Sequence, residues 1–402
     1  MNILFLTIYR ITSISERNIY TDLIRKFRDE GHRVCVVTPA ERRYREDTGL
    51  IYDEGVGILR IKTLNFQKIN IIEKGIATLL FEQQYKSGII KYLNDTIFDL
   101  IVYSTPPITF TGVIKWIKKR DHATSYLLLK DIFPQNAVDL GMMKKKGLIH
   151  GFFRRKEKQL YAVSDFIGCM SPANVSYLLK HNPELLESKV EVCPNSIAPV
   201  TINQDYFTRT NLRNKYKIPQ DALVVVYGGN LGKPQGLDFL PEILDTNRNR
   251  KDYYFLIVGS GTEKPKIEEW LRESKVENCR LISSLPKNEY DELVKACDVG
   301  LIMLDKRFTI PNFPSRLLSY LEFKMPVLIA TDLNCDMGTI AENYKFGLFS
   351  LHGDLKAFNQ NLEKFLDNRS LVEEMGLNGY QYLMKHYTVD QSYQIIMQHF
   401  HL

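Results

Sequence analysis

Several signatures that would settle a chemistry early are missing from this chain. Its six cysteines, Cys35, Cys169, Cys193, Cys279, Cys297 and Cys335, contain no CxxC pair, and several lie in apolar runs, which predicts buried reduced thiols. The histidines form no HxxxH or HExxH pattern and do not cluster with cysteine as zinc ligands do, so no metal centre is expected. No DxD triplet occurs. Tyr9–Ser15, after the first apolar run, has no glycine and is not GxGxxG, which argues against a dinucleotide dehydrogenase. No stretch of ~18 apolar residues exists to span a bilayer, and Met1–Leu6 is too short for a signal peptide and reads as a strand. Glycine and proline, 23 and 16, are near average and exclude collagen-like or linker-dominated tracts.

What is present is an ordinary globular composition, 44% hydrophobic and 25% charged over 402 residues, enough for two or three domains. The net charge of +6 is mild but uneven. Residues 1–197 hold 29 Lys/Arg against 21 Asp/Glu, net +8, whereas 198–402 hold 24 against 26, net −2. The front half therefore favours an anionic surface or substrate. No nucleic-acid-binding module accompanies the basic residues, so nucleic acid is not expected as a partner.

Short apolar runs alternate with helical patterns from the start: Asn2–Thr7, Arg33–Thr38, Leu59–Lys62, Leu100–Ser104, Ser125–Lys130, Phe166–Met170 and Val190–Cys193 read as strands, with helices between them. Residues 198–220 lack periodicity and read as a linker. The pattern restarts with strands at Leu223–Tyr227, Tyr254–Val258, Cys279–Ile282, Val299–Leu304 and Pro326–Ala330, and ends in helices to Phe400. This predicts two tandem α/β domains with parallel sheets, whose ligands sit outside the carboxyl ends of the strands, in the cleft between the domains.

Four stretches carry potential chemistry. Tyr227-Gly228-Gly229-Asn230-Leu231-Gly232-Lys233 joins a strand to a helix, and its glycines allow close approach to a phosphate with Lys233 adding charge; a plain tight turn is the alternative. Gly259-Ser260-Gly261 is a second such turn. In Pro311-Asn312-Phe313-Pro314-Ser315-Arg316, Pro314 suits a first helical turn, where free N–H groups and Arg316 favour an anion; a capped helix with a solvated Arg is the bland reading. In Lys130-Asp131-Ile132-Phe133-Pro134-Gln135-Asn136, Asp131 ends a strand as a cleft carboxylate, or else caps a helix or pairs with Lys130. Separately, 140–158 interleaves Met142, Met143, Leu148, Ile149, Phe152 and Phe153 with Lys144, Lys145, Lys146, Arg154, Arg155 and Lys156. That mixture suits an anionic membrane surface, or a core helix with a solvated basic face.

Taken together these stretches resemble GT-B glycosyltransferases, two Rossmann-like domains with parallel sheets facing a cleft. The Pro-Asn-Phe-Pro-Ser-Arg stretch and Pro326-Val327 resemble the retaining family four. Asp131–Asn136 and Tyr227–Asp238 resemble its capsule and O-antigen branch, the type that includes bacterial N-acetylfucosamine transferases. The resemblance implies an acceptor-binding domain over 1–197, a nucleotide-sugar-binding domain over 198–386, and a final helix, 387–402, crossing back to the first domain. It implies a UDP-linked sugar donor, with an N-acetylated deoxyhexose as the candidate sugar, and no separate cofactor. The acceptor it implies is a saccharide on a polyprenyl diphosphate carrier, reached from the cytoplasmic side as a peripheral protein of the inner membrane face. Gly228, Gly229, Asn230 and Lys233 are assigned to the diphosphate; Gly259, Ser284 and Leu285 to the base; Asn312, Phe313, Pro314, Ser315 and Arg316 to pyrophosphate and sugar; and Asp131 to the donor sugar from the first domain. Arg316 and Asp131 are the expected catalytic pair.

The chain departs from that family in three places. The positions of two family glutamates hold Pro311 and Ser319, so only a hydroxyl is offered to ribose, and Glu322 is one turn out of register. The lysine of the phosphate loop is Gln235, which leaves Lys233 or Arg316 to supply charge. Ile8–Ser15 lacks its glycine. Two other readings remain open: a UDP-sugar 2-epimerase on the same scaffold, which would turn over donor without acceptor, and a non-catalytic nucleotide-sugar-binding protein, which would bind without transfer.

Overall fold

The computed structural model describes residues 1–66, 71–200 and 206–400. The chain divides into two compact units, Met1–Ala198 with Val389–Leu402, and Pro199–Thr388.

The first unit holds β1 (Asn2–Leu6), β2 (Arg33–Glu41), β3 (Gly49–Asp53), β4 (Val56–Thr63), β5 (Leu100–Ser104), β6 (Thr124–Leu129), β7 (Phe166–Cys169) and β8 (Val190–Val192) in one sheet of order β3-β4-β2-β1-β5-β6-β7-β8. The central strands are continuous apolar runs because helices cover both faces. Phe5, Val36 and Val102 pack with Ile24 and Phe27 of the helix Thr21–Asp29, and Tyr393 and Ile396 join the same core. The helix Val389–Met397 is tied in by His32 with Tyr393 Oη at 3.0 Å and by Ser392 Oγ with Ser196 Oγ at 2.8 Å. Residues 401–402 of the expected final segment lie outside the described residues.

One pair departs from the expected all-parallel sheet: β3 runs antiparallel to β4. The chain reverses through Glu54 and Gly55, both at positive φ (47° and 80°), the geometry of a two-residue hairpin. This edge strand is half exposed, so it lacks the apolar run that marks the others.

The second unit holds β9 (Leu223–Asn230), β10 (Tyr253–Ser260), β11 (Cys279–Ile282), β12 (Val299–Met303), β13 (Val327–Thr331) and β14 (Gly347–Leu351), all parallel, in the order β11-β10-β9-β12-β13-β14. β14 was not expected from the sequence. It is short and partly exposed, and Gly347 lies against β13 where a Cβ would come 2.5 Å from Val327 Cγ2. Nor is 198–220 a plain linker. Residues 201–205 lie outside the described residues, and Tyr206–Tyr216 is a helix. Its anchor is polar: buried Arg213 donates to the carbonyls of Ala296 (3.0 Å) and Ala222 (3.1 Å) and to Asp298 (2.7 Å). An anchor of that kind leaves no hydrophobic periodicity to read.

Candidate active site

In the second unit the connections run outward in both directions from β9 and β12, so the point between these two strands is where a ligand crevice opens in an α/β sheet. The strands pair only at Val225–Val299 and Val226–Gly300 and then splay. Tyr320, from the helix Arg316–Glu322, fills the gap from below. Its Oη accepts the Gly228 N–H at 3.0 Å and lies 3.1 Å from the Val226 carbonyl oxygen. Gly300 admits the Tyr320 ring, since a Cβ there would sit 2.4 Å from ring carbons. Gly228 likewise makes room for Tyr290, whose hydroxyl would be 1.8 Å from an added Cβ.

This tyrosine floor changes the role of the glycine stretch. β9 continues as strand through Asn230, and the Gly228 N–H is already taken by Tyr320. Gly229, at φ +126°, and Asn230 are exposed at the strand's end, both paired with β10, and the Asn230 carbonyl accepts the Tyr227 hydroxyl at 2.8 Å. Gly259 pairs with Gly229 across β9 and β10, and a Cβ on Gly259 would lie 1.9 Å from the Gly229 carbonyl oxygen; it is there for strand approach. Lys233 is exposed, at the start of a short 3-10 turn. Ser284 and Leu285 lie in the turn after β11, with Ser284 exposed.

Arg316 occupies the middle of the crevice. Its guanidinium stacks over the Tyr227 ring with Cζ 4.3 Å from the centroid, and its carbon and one nitrogen lie 3.7 Å from where a Gly229 Cβ would be. Nη2 donates to Gln235 Oε1. Nη1 is buried and has no hydrogen-bond partner among the described residues. A guanidinium cannot shed its proton, so an unpaired buried N–H is costly until an anion or a carbonyl meets it. Two further orphans lie on the same segment, Asn312 Nδ2 and Ser319 Oγ. Gln235, at the position of the absent lysine, serves instead to hold Arg316. The turn carrying Gln235 is itself fixed by Asp305 N–H donating to Pro234 O at 3.1 Å and by His352 Nε2 with Gly236 O at 2.7 Å.

The helix itself starts at Arg316, not at Pro314. Ser315 is its N-cap without a side-chain cap bond, and Asn312, Phe313 and Pro314 precede it as irregular backbone, with the Pro314 carbonyl accepting the Leu317 N–H at 3.3 Å. Seven residues make a weak dipole, so the cation here is Arg316 itself. Glu322, the carboxylate out of register, is buried and accepts the Val200 N–H at 3.0 Å. The structure thus gives it a packing role.

In the first unit Asp131 and Lys130 follow β6. The Asp131 carboxylate accepts from Asn136 Nδ2 through both oxygens, at 2.8 and 2.9 Å, and Thr105 Oγ1 accepts the N–H groups of Lys130 (3.0 Å) and Asp131 (3.1 Å). Lys130 does not reach Asp131; its Nζ lies 4.0 Å from the centroid of the Tyr20 ring, which stacks in turn on Tyr9 at 5.2 Å. Burial pushes the Lys130 ammonium down to about 7. Ser104 Oγ, at the end of β5, and Asn195 Oδ1, in the segment after β8, are buried with no hydrogen-bond partner among the described residues. Tyr290 and Tyr320 were not singled out by sequence, Tyr227 was noted only as the start of the glycine stretch, and Lys130 only as a possible partner of Asp131. The only early sign of the tyrosine floor is a glycine, Gly300, inside an otherwise apolar strand. Among the described residues no three His, Cys, Asp or Glu side chains converge as a metal site.

Residues 208–382 match the family model of glycosyl transferases group 1. WbjE of Pseudomonas aeruginosa, named a probable glycosyltransferase, is 22% identical over 254 residues, 62% of this chain and 59% of that protein. WcaI of Escherichia coli K12, named as a colanic acid biosynthesis glycosyl transferase, is 26% identical over 136 residues, 33% of this chain and 32% of that protein. The alignments thus span less than two thirds of either relative. Among solved structures, HepE of Anabaena in complex with UDP-glucose superposes with a TM-score of 0.72 at 13% identity, covering 100% of this chain and 99% of that one. The chain therefore has the GT-B fold, and residues 208–382 of its second unit are similar to glycosyl transferases group 1.

Proposed function

We propose that this protein is a retaining glycosyltransferase that moves a sugar from a UDP-linked donor to a saccharide on a polyprenyl diphosphate carrier, in the synthesis of a bacterial surface polysaccharide. The observation that carries this reading is the half-satisfied guanidinium of Arg316, with Nη1 buried and unpaired among the described residues, beside exposed Gly229 and inside the stretch similar to glycosyl transferases group 1. WcaI is named for colanic acid synthesis and HepE was solved with UDP-glucose, which supports the substrate classes. The sugar assigned from the family resemblance is an N-acetylated deoxyhexose.

In this reading the donor diphosphate lies against Gly229, Asn230 and Arg316, with Ser319 Oγ toward a ribose hydroxyl, and the acceptor is held by the first unit. The bond from the anomeric carbon to the phosphate oxygen breaks as the bond to the acceptor oxygen forms on the same face. The acceptor proton passes to the departing phosphate oxygen. Charge builds on the diphosphate during this step, and Arg316, already fixed by Gln235 and Tyr227, stabilises it with no reorganisation cost. Asp131, held by Asn136, orients the donor sugar. The protein acts from the inner face of the cytoplasmic membrane, where the carrier resides.

The test is transfer itself. A UDP-sugar panel with labelled sugar, incubated with a bacterial lipid extract, is expected to move label into the lipid phase. Label that appears in a 2-epimer without any acceptor, or binding of donor with no transfer to any lipid, contradicts the proposal.

A further inference from the structure

The helix Leu148–Val163 is divided along its length. Its last turns are core: Leu160, Tyr161 and Val163 are buried, and Glu157 is held by Arg154 and by Tyr161 at 2.8 Å. Its first turns leave an apolar side exposed. Leu148 is 95% exposed, Ile149 66% and Phe152 43%, and Met142 just before them is 53% exposed. Spacing of i, i+1 and i+4 puts Leu148, Ile149 and Phe152 on one side of the helix, and i+7 and i+8 continue that stripe into Arg155 and Lys156. Lone exposed apolar residues need no explanation, but a stripe of three, with a methionine beside it, does.

Charge decides the occupant. Residues 140–158 contain seven Lys or Arg and one acid, Glu157, which is buried. Lys158 is engaged with Glu184 at 2.9 Å, and Arg154 with Glu157 and the Asn182 side chain. Lys144, Lys145, Lys146, Arg155 and Lys156 form no ion pair among the described residues, and Lys144–Lys146 and Arg155 are exposed. A protein partner's apolar face would have to bring acids to match five free cations. An anionic bilayer offers both an apolar interior and a field of phosphates at once, and long basic side chains reach back to it from an inserted stripe. Phe153, packed on Phe133 at 5.0 Å, fixes the helix to the body of the first unit, so the stripe is presented rigidly. Among the described residues no helix is long and apolar enough to cross a membrane.

We infer that this patch is an interfacial docking site for anionic phospholipid. Leu148, Ile149 and Phe152 enter the acyl boundary, and Lys144, Lys145, Lys146, Arg155 and Lys156 hold the headgroups. The inference rests on the proposed lipid-linked acceptor for its purpose, not for its physics.

Sedimentation with phosphatidylglycerol vesicles, phosphatidylcholine vesicles as control, tests it. Wild-type protein is expected to bind the anionic vesicles and not the neutral ones. Lys144→Gln with Lys145→Gln and Lys146→Gln is expected to weaken binding on the order of 100-fold, at about fivefold per residue. Leu148→Ser with Ile149→Ser and Phe152→Ser is expected to leave only binding that salt abolishes, with at most a small fall in melting temperature from the lost Phe152–Phe153 contact. No binding of wild type to phosphatidylglycerol at low salt overturns the inference. So does binding that the serine variant keeps in high salt, or a dimer in solution that the serine variant breaks, which would make the stripe a contact between copies. Transfer to a short-chain, water-soluble acceptor separates the two claims. If the serine variant loses transfer only from vesicle-borne acceptor, both stand; if neither protein transfers to any acceptor, the enzymatic reading fails and vesicle binding is judged alone.

Discussion

Single residues in this protein are explained by what they lack as much as by what they touch. Arg316 has one terminal nitrogen satisfied and the other buried and empty, the state of a cation waiting for an anion. Its position was visible in the sequence, as was the loss of lysine at Gln235; that the glutamine would hold the arginine was not, because the two are 81 residues apart. Asp131 was legible as a strand-end carboxylate, while its clamp by Asn136 explains how its orientation is set. Lys130 was read only as a possible partner of Asp131, and the structure places it on Tyr20 instead. It offers a pH test. In the fold its ammonium titrates at about 7, against 10.5 when unperturbed. Below pH 7 both the folded and unfolded chains carry the proton, and the cost of burying it is fully present. Between 7 and 10.5 the unfolded chain binds more protons, so stability contributed through this group rises with pH. Lys130→Met is therefore expected to be more stable than wild type at pH 6, with the gap closing toward pH 10, followed by urea midpoints. A gap that stays constant with pH would show that Lys130 titrates normally.

Elements were most legible where they are buried on both sides and less so at some edges and polar anchors. The expected strand runs all became strands, most of them central, with Val190–Cys193 and Cys279–Ile282 giving the edges β8 and β11. β3 and β14, both edges, did not announce themselves, and the helix Tyr206–Tyr216 is pinned by the hydrogen bonds of Arg213 rather than by an apolar face. The glycine stretch was read as a phosphate-binding turn, and the structure shows a packing reason for its first glycine that the sequence hides. Gly228 is small because Tyr290 needs the space, a contact across 62 residues. Gly228→Ala would force the Tyr290 ring aside, and overpacking of this kind costs about 1–3 kcal/mol. Urea unfolding is expected to show that loss, with partial recovery when Tyr290→Ala is added. Wild-type stability in Gly228→Ala would mean that the tyrosine floor gives way freely and does not shape the crevice.

At the scale of the whole molecule, the alternation of strands and helices dictated two α/β sheets, and the charge asymmetry between the halves carried information that the fold alone does not. The excess of basic residues before position 198 is concentrated in part around the exposed stripe at Leu148, whereas the second unit, nearly neutral, concentrates its useful cation in a single crevice. In the proposed function the chain's own groups neutralise the donor diphosphate, and that task falls chiefly to Arg316. Calorimetric titration of UDP into the wild-type protein and into Arg316→Ala tests this most directly. Loss of a charged hydrogen-bond donor should weaken UDP binding by about 1.5–3 kcal/mol, roughly 10- to 150-fold, with little change in melting temperature of the unliganded protein. Equal affinity of the two proteins for UDP would contradict the account.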